Sequence, residues 1–345
     1  MRRKIYQELL QWKQRSGESA LLVQGARRVG KSYIVEAFAK AEYKSYILID
    51  FNLVDQPVKE MFEHDLVDLK TFFMKLTTYY GVKLYERESL IIFDEVQLFP
   101  RARSAIKYLV ADGRYDYIET GSLISIRENV KDILIPSEED HVDMYPLDFE
   151  EFLWANGNDT MMDFIRDCYR KKAPLGQALH RKAMDLFRQY LIVGGMPQAV
   201  NAFVKHNDFD EVDRVKRRIL NLYRDDIRKH AKGYEMKVEA IYDEIPSQMK
   251  NQNQHFKLSS LKQGARFDEY KDAMFWLSDA MIVNHCYNAT EPTFGLNLNR
   301  DRTLLKCYMG DTGLLISHAF DENGIVTGEV YKKLLLDKLE VNMGM

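Results

Sequence analysis

Through residues 1–150, short apolar runs alternate with segments whose apolar positions recur at helical spacing. Ile5, Leu9, Leu10 and Trp12 follow a helical period up to about Gln14, and the Ser-Gly-Glu-Ser run at residues 16–19 breaks it. Ala20-Leu21-Leu22-Val23-Gln24 then has no polar alternation, the pattern of a strand covered on both faces of a parallel sheet. Three further runs read as strands: Tyr46–Phe51, Ser89–Phe93 and Tyr115–Thr120. A helix is expected from Tyr33 to Lys40. Parallel neighbours need long crossovers, so this alternation predicts an α/β domain, a parallel sheet with crossover helices, over residues 1–150.

The pattern changes after about Phe149. Residues 151–233 read as a helical region, interrupted by a turn at Val193-Gly194-Gly195-Met196-Pro197. In residues 234–320 helices are expected at Ala240–Met249, near Leu258–Gln263 and at Phe267–Ala280, with a polar break from Asn251 to His255. Two extended segments follow, Met281–Tyr287 and Thr303–Met309. Three helices followed by a β-hairpin predict a winged-helix domain, and residues 321–345 stand apart as a C-terminal segment. A length of 345 residues accommodates these domains, each large enough to bury its own core.

With 46% hydrophobic and 29% charged residues, the chain is globular rather than disordered or fibrous. The formal net charge of -3 gives no overall attraction to nucleic acid, so such a contact must be local. Cys168, Cys286 and Cys307 are too far apart for a disulfide framework or a zinc site. The basic start at Arg2, Arg3 and Lys4 runs into Gln7, Gln11 and Lys13, unlike a signal peptide. No stretch reaches the roughly 18 apolar residues of a spanning helix. A cytoplasmic protein without membrane insertion is expected.

The chemistry begins where the first strand ends. Gly25-Ala26-Arg27-Arg28-Val29-Gly30-Lys31-Ser32, followed by Tyr33, matches the P-loop pattern at every fixed position and lies between a strand and a helix start. Its glycines let successive N–H groups turn inward onto phosphate oxygens, and the helix adds its positive end. Lys31 is expected on the β- and γ-phosphates and the Ser32 hydroxyl on Mg²⁺. Ile91-Ile92-Phe93-Asp94-Glu95 places two carboxylates at a strand's C-terminal end, where open α/β sheets bind ligands. Asp94 suits the metal shell, and Glu95 suits the general base that takes a proton from water. Thr120, in Thr120-Gly121-Ser122, is the candidate sensor, although such residues also make ordinary turns. Arg27, Arg28, Arg101, Arg103 and Arg127 are candidates for a transition-state arginine. The absence of a guanine-reading Asn-Lys-x-Asp sequence favours ATP.

Basic residues concentrate between Arg214 and Lys232, where a solvated helix face paired with carboxylates competes with a phosphate-binding surface. Lys257, Lys262, Arg266, Arg300, Arg302 and Lys306 add basic positions around the expected winged helix. DNA through residues 234–320, a protein partner and self-association all stay open.

The P-loop, Phe93-Asp94-Glu95-Val96-Gln97, Thr120-Gly121-Ser122 and Tyr145-Pro146-Leu147-Asp148-Phe149-Glu150-Glu151-Phe152 carry a wider resemblance. So do Gly194-Gly195-Met196-Pro197, Tyr223-Arg224-Asp225-Asp226-Ile227 and Asp311-Thr312-Gly313-Leu314-Leu315. Together they resemble bacterial and archaeal AAA-type ATPases with a winged helix in a following domain of unknown function. The resemblance implies a switch-like ATP-binding protein. Two departures stand out. A Gly-Arg pair of many relatives is replaced by Ile135-Pro136-Ser137-Glu138-Glu139-Asp140. The nuclease-like domain of relatives would begin where this chain reads Val341-Asn342-Met343-Gly344-Met345, so a truncated product is expected. The readings carried forward are a Mg²⁺-dependent ATPase coupled to a conformational switch, a nucleotide-gated binding module with little turnover, and a regulator of nucleic-acid processing.

Overall fold

A computed structural model describes residues 1–15, 17–122, 137–250, 255–291 and 293–320. Arg127, the Ile135-Pro136 pair and the segment 321–345 lie outside the described residues. Backbone contacts divide the chain into a unit of residues 3–145 and a unit comprising residues 1–2 and 146–345.

In the first unit β1 (Ala20–Gln24), β2 (Ser45–Asp50), β3 (Ser89–Asp94), β4 (Asp116–Gly121) and β5 (Glu139–Asp143) form a parallel sheet in the order β2-β3-β4-β1-β5. The expected parallel sheet with crossover helices is therefore present. Every residue of β3 and β4 is buried, as strands flanked and covered on both sides require. Helices α1 (Ile5–Gln14), α2 (Lys31–Glu42), α3 (Gln56–His64), α4 (Leu69–Tyr80) and α5 (Pro100–Asp112) accompany it. Phe51, Phe62, Phe72, Phe93 and Tyr117 pack with α5's Ala102, Ile106 and Leu109 on one face. Phe62 meets Phe72 edge-on at 5.1 Å, an arrangement that adds to plain area burial.

Strand β5 has no apolar run in the sequence; it reads Glu139-Asp140-His141-Val142-Asp143. It forms an edge, so polar side chains can reach solvent on its free side. Its one fully buried carboxylate, Glu139, receives Arg103 from α5 at 3.1 Å. The same guanidinium holds Glu119 of β4 at 3.0 Å. Burial, reinforced by the nearby Glu139, pushes the Glu119 carboxyl well above its ordinary range, against the pull of Arg103.

The second unit begins with α6 (Phe149–Ala155), whose Asp148 and Glu151 make a reciprocal capping box. It continues through α7 (Met161–Lys171), α8 (Gln177–Val193), α9 (Pro197–His206) and α10 (Phe209–His230). The Gly-Gly-Met-Pro turn joins α8 to α9. A Cβ on Gly195 would stand 2.0 Å from the Leu147 carbonyl oxygen, so only glycine fits there. The Gly195 N–H donates to Asp311 at 2.6 Å, and the same carboxylate caps α13 (Thr312–Ala319) by accepting from the Leu314 N–H. Two motifs 116 residues apart in sequence thus share one buried carboxylate.

Between them, α11 (Glu235–Lys250) leads through a 3-10 turn at Leu258–Ser260 to α12 (Phe267–Asp279) and an antiparallel hairpin of β6 (Val283–Ala289) and β7 (Arg300–Met309). The helix expected near Leu258–Gln263 is only that turn. The Phe256 N–H bonds the Leu305 carbonyl of β7 at 2.7 Å, drawing the chain out beside the hairpin, and Ser260 Oγ closes the turn on the Lys257 carbonyl. Among the described residues no helix is long and apolar enough to cross a membrane.

Candidate functional site

The P-loop takes its shape from three features. Gly25 is required by close approach, because a Cβ there would lie 2.3 Å from the Met144 carbonyl oxygen at the end of β5. Gly30 is left-handed at φ 97° and starts α2. The third comes from a residue with no motif around it. Buried Arg3, ahead of α1, donates to the Val29 carbonyl at 3.0 Å and to the Tyr145 carbonyl at 2.6 Å, bracing the loop from behind.

Within the loop Lys31 is buried and donates to the Gly25 and Ala26 carbonyls at 3.1 and 3.0 Å. Arg27 and Arg28 are exposed at its tip, Ala26 and Val29 are buried, and Tyr33 projects outward on the first turn of α2. Arg28 is also left-handed, at φ 68°.

The sheet order brings the other predicted residues to the loop. β4 lies between β1 and β3, so the strand ending in Thr120 separates the P-loop strand from the one ending in Asp94. Ser32 Oγ donates to Asp94 Oδ1 at 2.7 Å. Thr120 Oγ1 donates to the same carboxylate oxygen and accepts the Glu95 N–H at 3.3 Å. Ser32, Asp94, Thr120 and Glu95 thus form one linked group beside Lys31. A hydroxyl and a carboxylate oxygen at this separation are the hard oxygen donors that Mg²⁺ takes alongside phosphate oxygens, so the residues fit that ion.

Glu95 is left-handed (φ 53°, ψ 46°) and caps a 3-10 turn over Val96–Leu98. Sequence reasoning gave no part to Gln97, whose amide donates to the Glu95 carboxylate, nor to Arg3. Gln97 could have been found from its place two residues after Glu95; Arg3 carried no local signal. Of the candidate arginines, Arg103 is committed to Glu119 and Glu139, and Arg101 contacts the Phe62 carbonyl.

The basic stretch from Arg214 to Lys232 lies on α10 and in the turn after it. Arg217 pairs with Asp213, Arg224 with Asp243 and Arg228 with Glu239, while Lys216 points into the core. Much of this charge is therefore spent on carboxylates. On α12, Tyr270, Ala273, Met274, Trp276 and Leu277 are buried, whereas Asp268, Glu269, Lys271 and Asp272 face solvent.

A five-stranded parallel sheet carrying a P-loop, with a Thr-tipped strand between it and an Asp-Glu strand end, defines a P-loop ATPase fold of the AAA type. Residues 17–153 match the family model described as AAA domain, and residues 184–323 match one described as domain of unknown function (DUF8612). The first unit accordingly has an AAA-like P-loop fold, and the match to the domain of unknown function falls in the second unit. In structure the chain is similar to the Walker-type ATPase PABY2304 of Pyrococcus abyssi, with 14% identity, 92% of this chain and 95% of that chain covered, and a TM-score of 0.50. Weaker similarity links it to a RuvB variant of Thermotoga maritima (14% identity, 81% and 88% covered, TM-score 0.34). Aeropyrum pernix ORC1, solved in complex with DNA, aligns at 11% identity over 94% of each chain with a TM-score of 0.31. No curated protein matches the chain in sequence.

Proposed function

We propose that this protein binds ATP with Mg²⁺ and hydrolyses it. The observation that carries the reading is the linked group of Ser32, Asp94, Thr120 and Glu95 beside the Lys31 loop. Residues Gly25 to Tyr33 would cradle the phosphates, with the Lys31 ammonium released from the loop carbonyls to the β- and γ-phosphates. Ser32 and Asp94 would hold Mg²⁺, which supplies charge neutralisation on the transferred phosphoryl group. Glu95 acts as general base toward water, and Thr120 senses the γ-phosphate through the Asp94 carboxylate.

The second unit is the proposed receiver of this turnover, a conformational switch built on a winged-helix-like arrangement of α11, the 3-10 turn, α12 and the hairpin. Within this reading a DNA contact through residues 234–320 would use exposed Lys257, Lys262, Arg266 and Arg302 rather than α12, because its outward Asp268, Glu269 and Asp272 repel phosphate. Three free cysteines accord with a reducing cytoplasm.

The test is nucleotide affinity together with steady-state phosphate release. Lys31→Ala should abolish binding, and Glu95→Gln should keep binding while losing turnover by about a hundredfold or more. Wild-type turnover no higher than that of Glu95→Gln would remove the hydrolysis reading and leave a nucleotide-gated module.

A further inference from the structure

The turn after Asp94 places the Gln97 side chain on the Glu95 carboxylate. The left-handed backbone of Glu95 reverses the chain directly after β3, and the 3-10 turn that follows brings positions 95 and 97 to the same side. Gln97 Nε2 donates to Glu95 Oε2 at 2.5 Å. Gln97 is only 4% exposed, so packing holds its amide in place. From the other side, the Glu95 N–H is tied to Thr120 Oγ1. The carboxylate is thus anchored through one oxygen, and its backbone is fixed to the strand between the P-loop and the Asp94 strand.

We propose that Gln97 is a positioning residue for hydrolysis, holding Glu95 Oε2 so that Oε1 is presented to the attacking water. The inference rests on the reading of Glu95 as general base. In the step it serves, the water oxygen bonds the γ-phosphorus and its proton passes to Glu95 Oε1. The bond from that phosphorus to the β,γ-bridging oxygen breaks, and its electron pair stays on ADP. An unanchored glutamate would spread over several rotamers, few of them aimed at the water. In this role Gln97 acts through the Glu95 carboxylate, so its removal should lower kcat without weakening ATP binding.

The experiment measures kcat, KM and nucleotide affinity for wild type, Gln97→Met, Glu95→Gln and the double variant in the full chain. Methionine keeps the length of glutamine and lacks the donor. Gln97→Met should lower kcat about tenfold at unchanged KM and affinity. In the Glu95→Gln background the same substitution should cause no further fall, because it acts only through that carboxylate. Gln97→Glu, which keeps size and polarity but replaces the donor with an acceptor, should fall at least as far, and it decides the matter if the methionine variant does not fold. Unchanged or raised kcat with normal affinity, or a full further loss in the double variant, overturns the inference and leaves the ATPase reading standing. Wild-type turnover equal to that of Glu95→Gln overturns both.

Discussion

Replacing Lys216 with methionine tests what a buried ammonium costs the second unit. Lys216 is 0% exposed, and its Nζ donates to the Ile192 carbonyl at 2.8 Å. Burial pushes its pKa from 10.5 down to about 8; Asp213 and Asp311 pull it upward, and Arg217 adds to the fall. A group whose folded pKa lies below its unfolded value contributes stability that is complete above the unfolded pKa and lost as pH falls through the folded one. The Lys216 contribution to wild-type stability should therefore rise between pH 8 and 10.5 by about 1.4 kcal/mol per pH unit, which over that window amounts to about 3 kcal/mol. Lys216→Met has no proton to release there, so its stability should lack this rise. At neutral pH two effects oppose each other. The charge no longer has to be buried, but the Ile192 carbonyl loses this donor at a cost of about 1–3 kcal/mol. The slope is the discriminating quantity. Urea unfolding of both proteins at a series of pH values between 7 and 10.5, with the transition followed by tryptophan fluorescence, measures it. Parallel stability profiles would refute the reasoning.

Two more outcomes follow from the P-loop unit. The Glu119 carboxyl is raised, so the sign is opposite: stability is complete below its unfolded value of 4.5 and lost as pH rises through the folded pKa. Glu119→Gln, which mimics the protonated form between Arg103 and Glu139, should flatten that decline in the same unfolding titrations, and an unaltered slope would count against a proton held there. Arg3→Gln removes a charged brace on the Val29 and Tyr145 carbonyls, worth about 1.5–3 kcal/mol. It should weaken nucleotide affinity about tenfold or more in a fluorescent-ATP titration, and wild-type affinity would show that the loop keeps its shape without Arg3.

The P-loop and the Asp-Glu strand end were legible because each is set by consecutive residues. A strand, a glycine-rich turn and a helix start are local choices of backbone, so Gly25 to Ser32 announce themselves wherever they occur. Strand β5 was not legible: its polar residues lack the apolar signal, and burial of Glu139 depends on Arg103 arriving from α5. The helix near Leu258 shrank to a turn because Leu305 of the hairpin claims the Phe256 N–H. The basic run on α10 gave no sign in sequence of which cations would meet Asp213, Asp243 and Glu239.

Neighbouring residues along the chain suffice to set the phosphate-binding loop at Gly25, the carboxylate pair that ends a buried strand, and the helical region that follows a parallel sheet. Packing alone sets the rest: β4 separates those two strands, so that Thr120 joins Asp94 and the Glu95 backbone, and Arg3 reaches a loop 26 residues away. The reason is physical. Backbone conformation follows from neighbours along the chain, whereas hydrogen-bond partners are chosen by the order in which strands and helices pack.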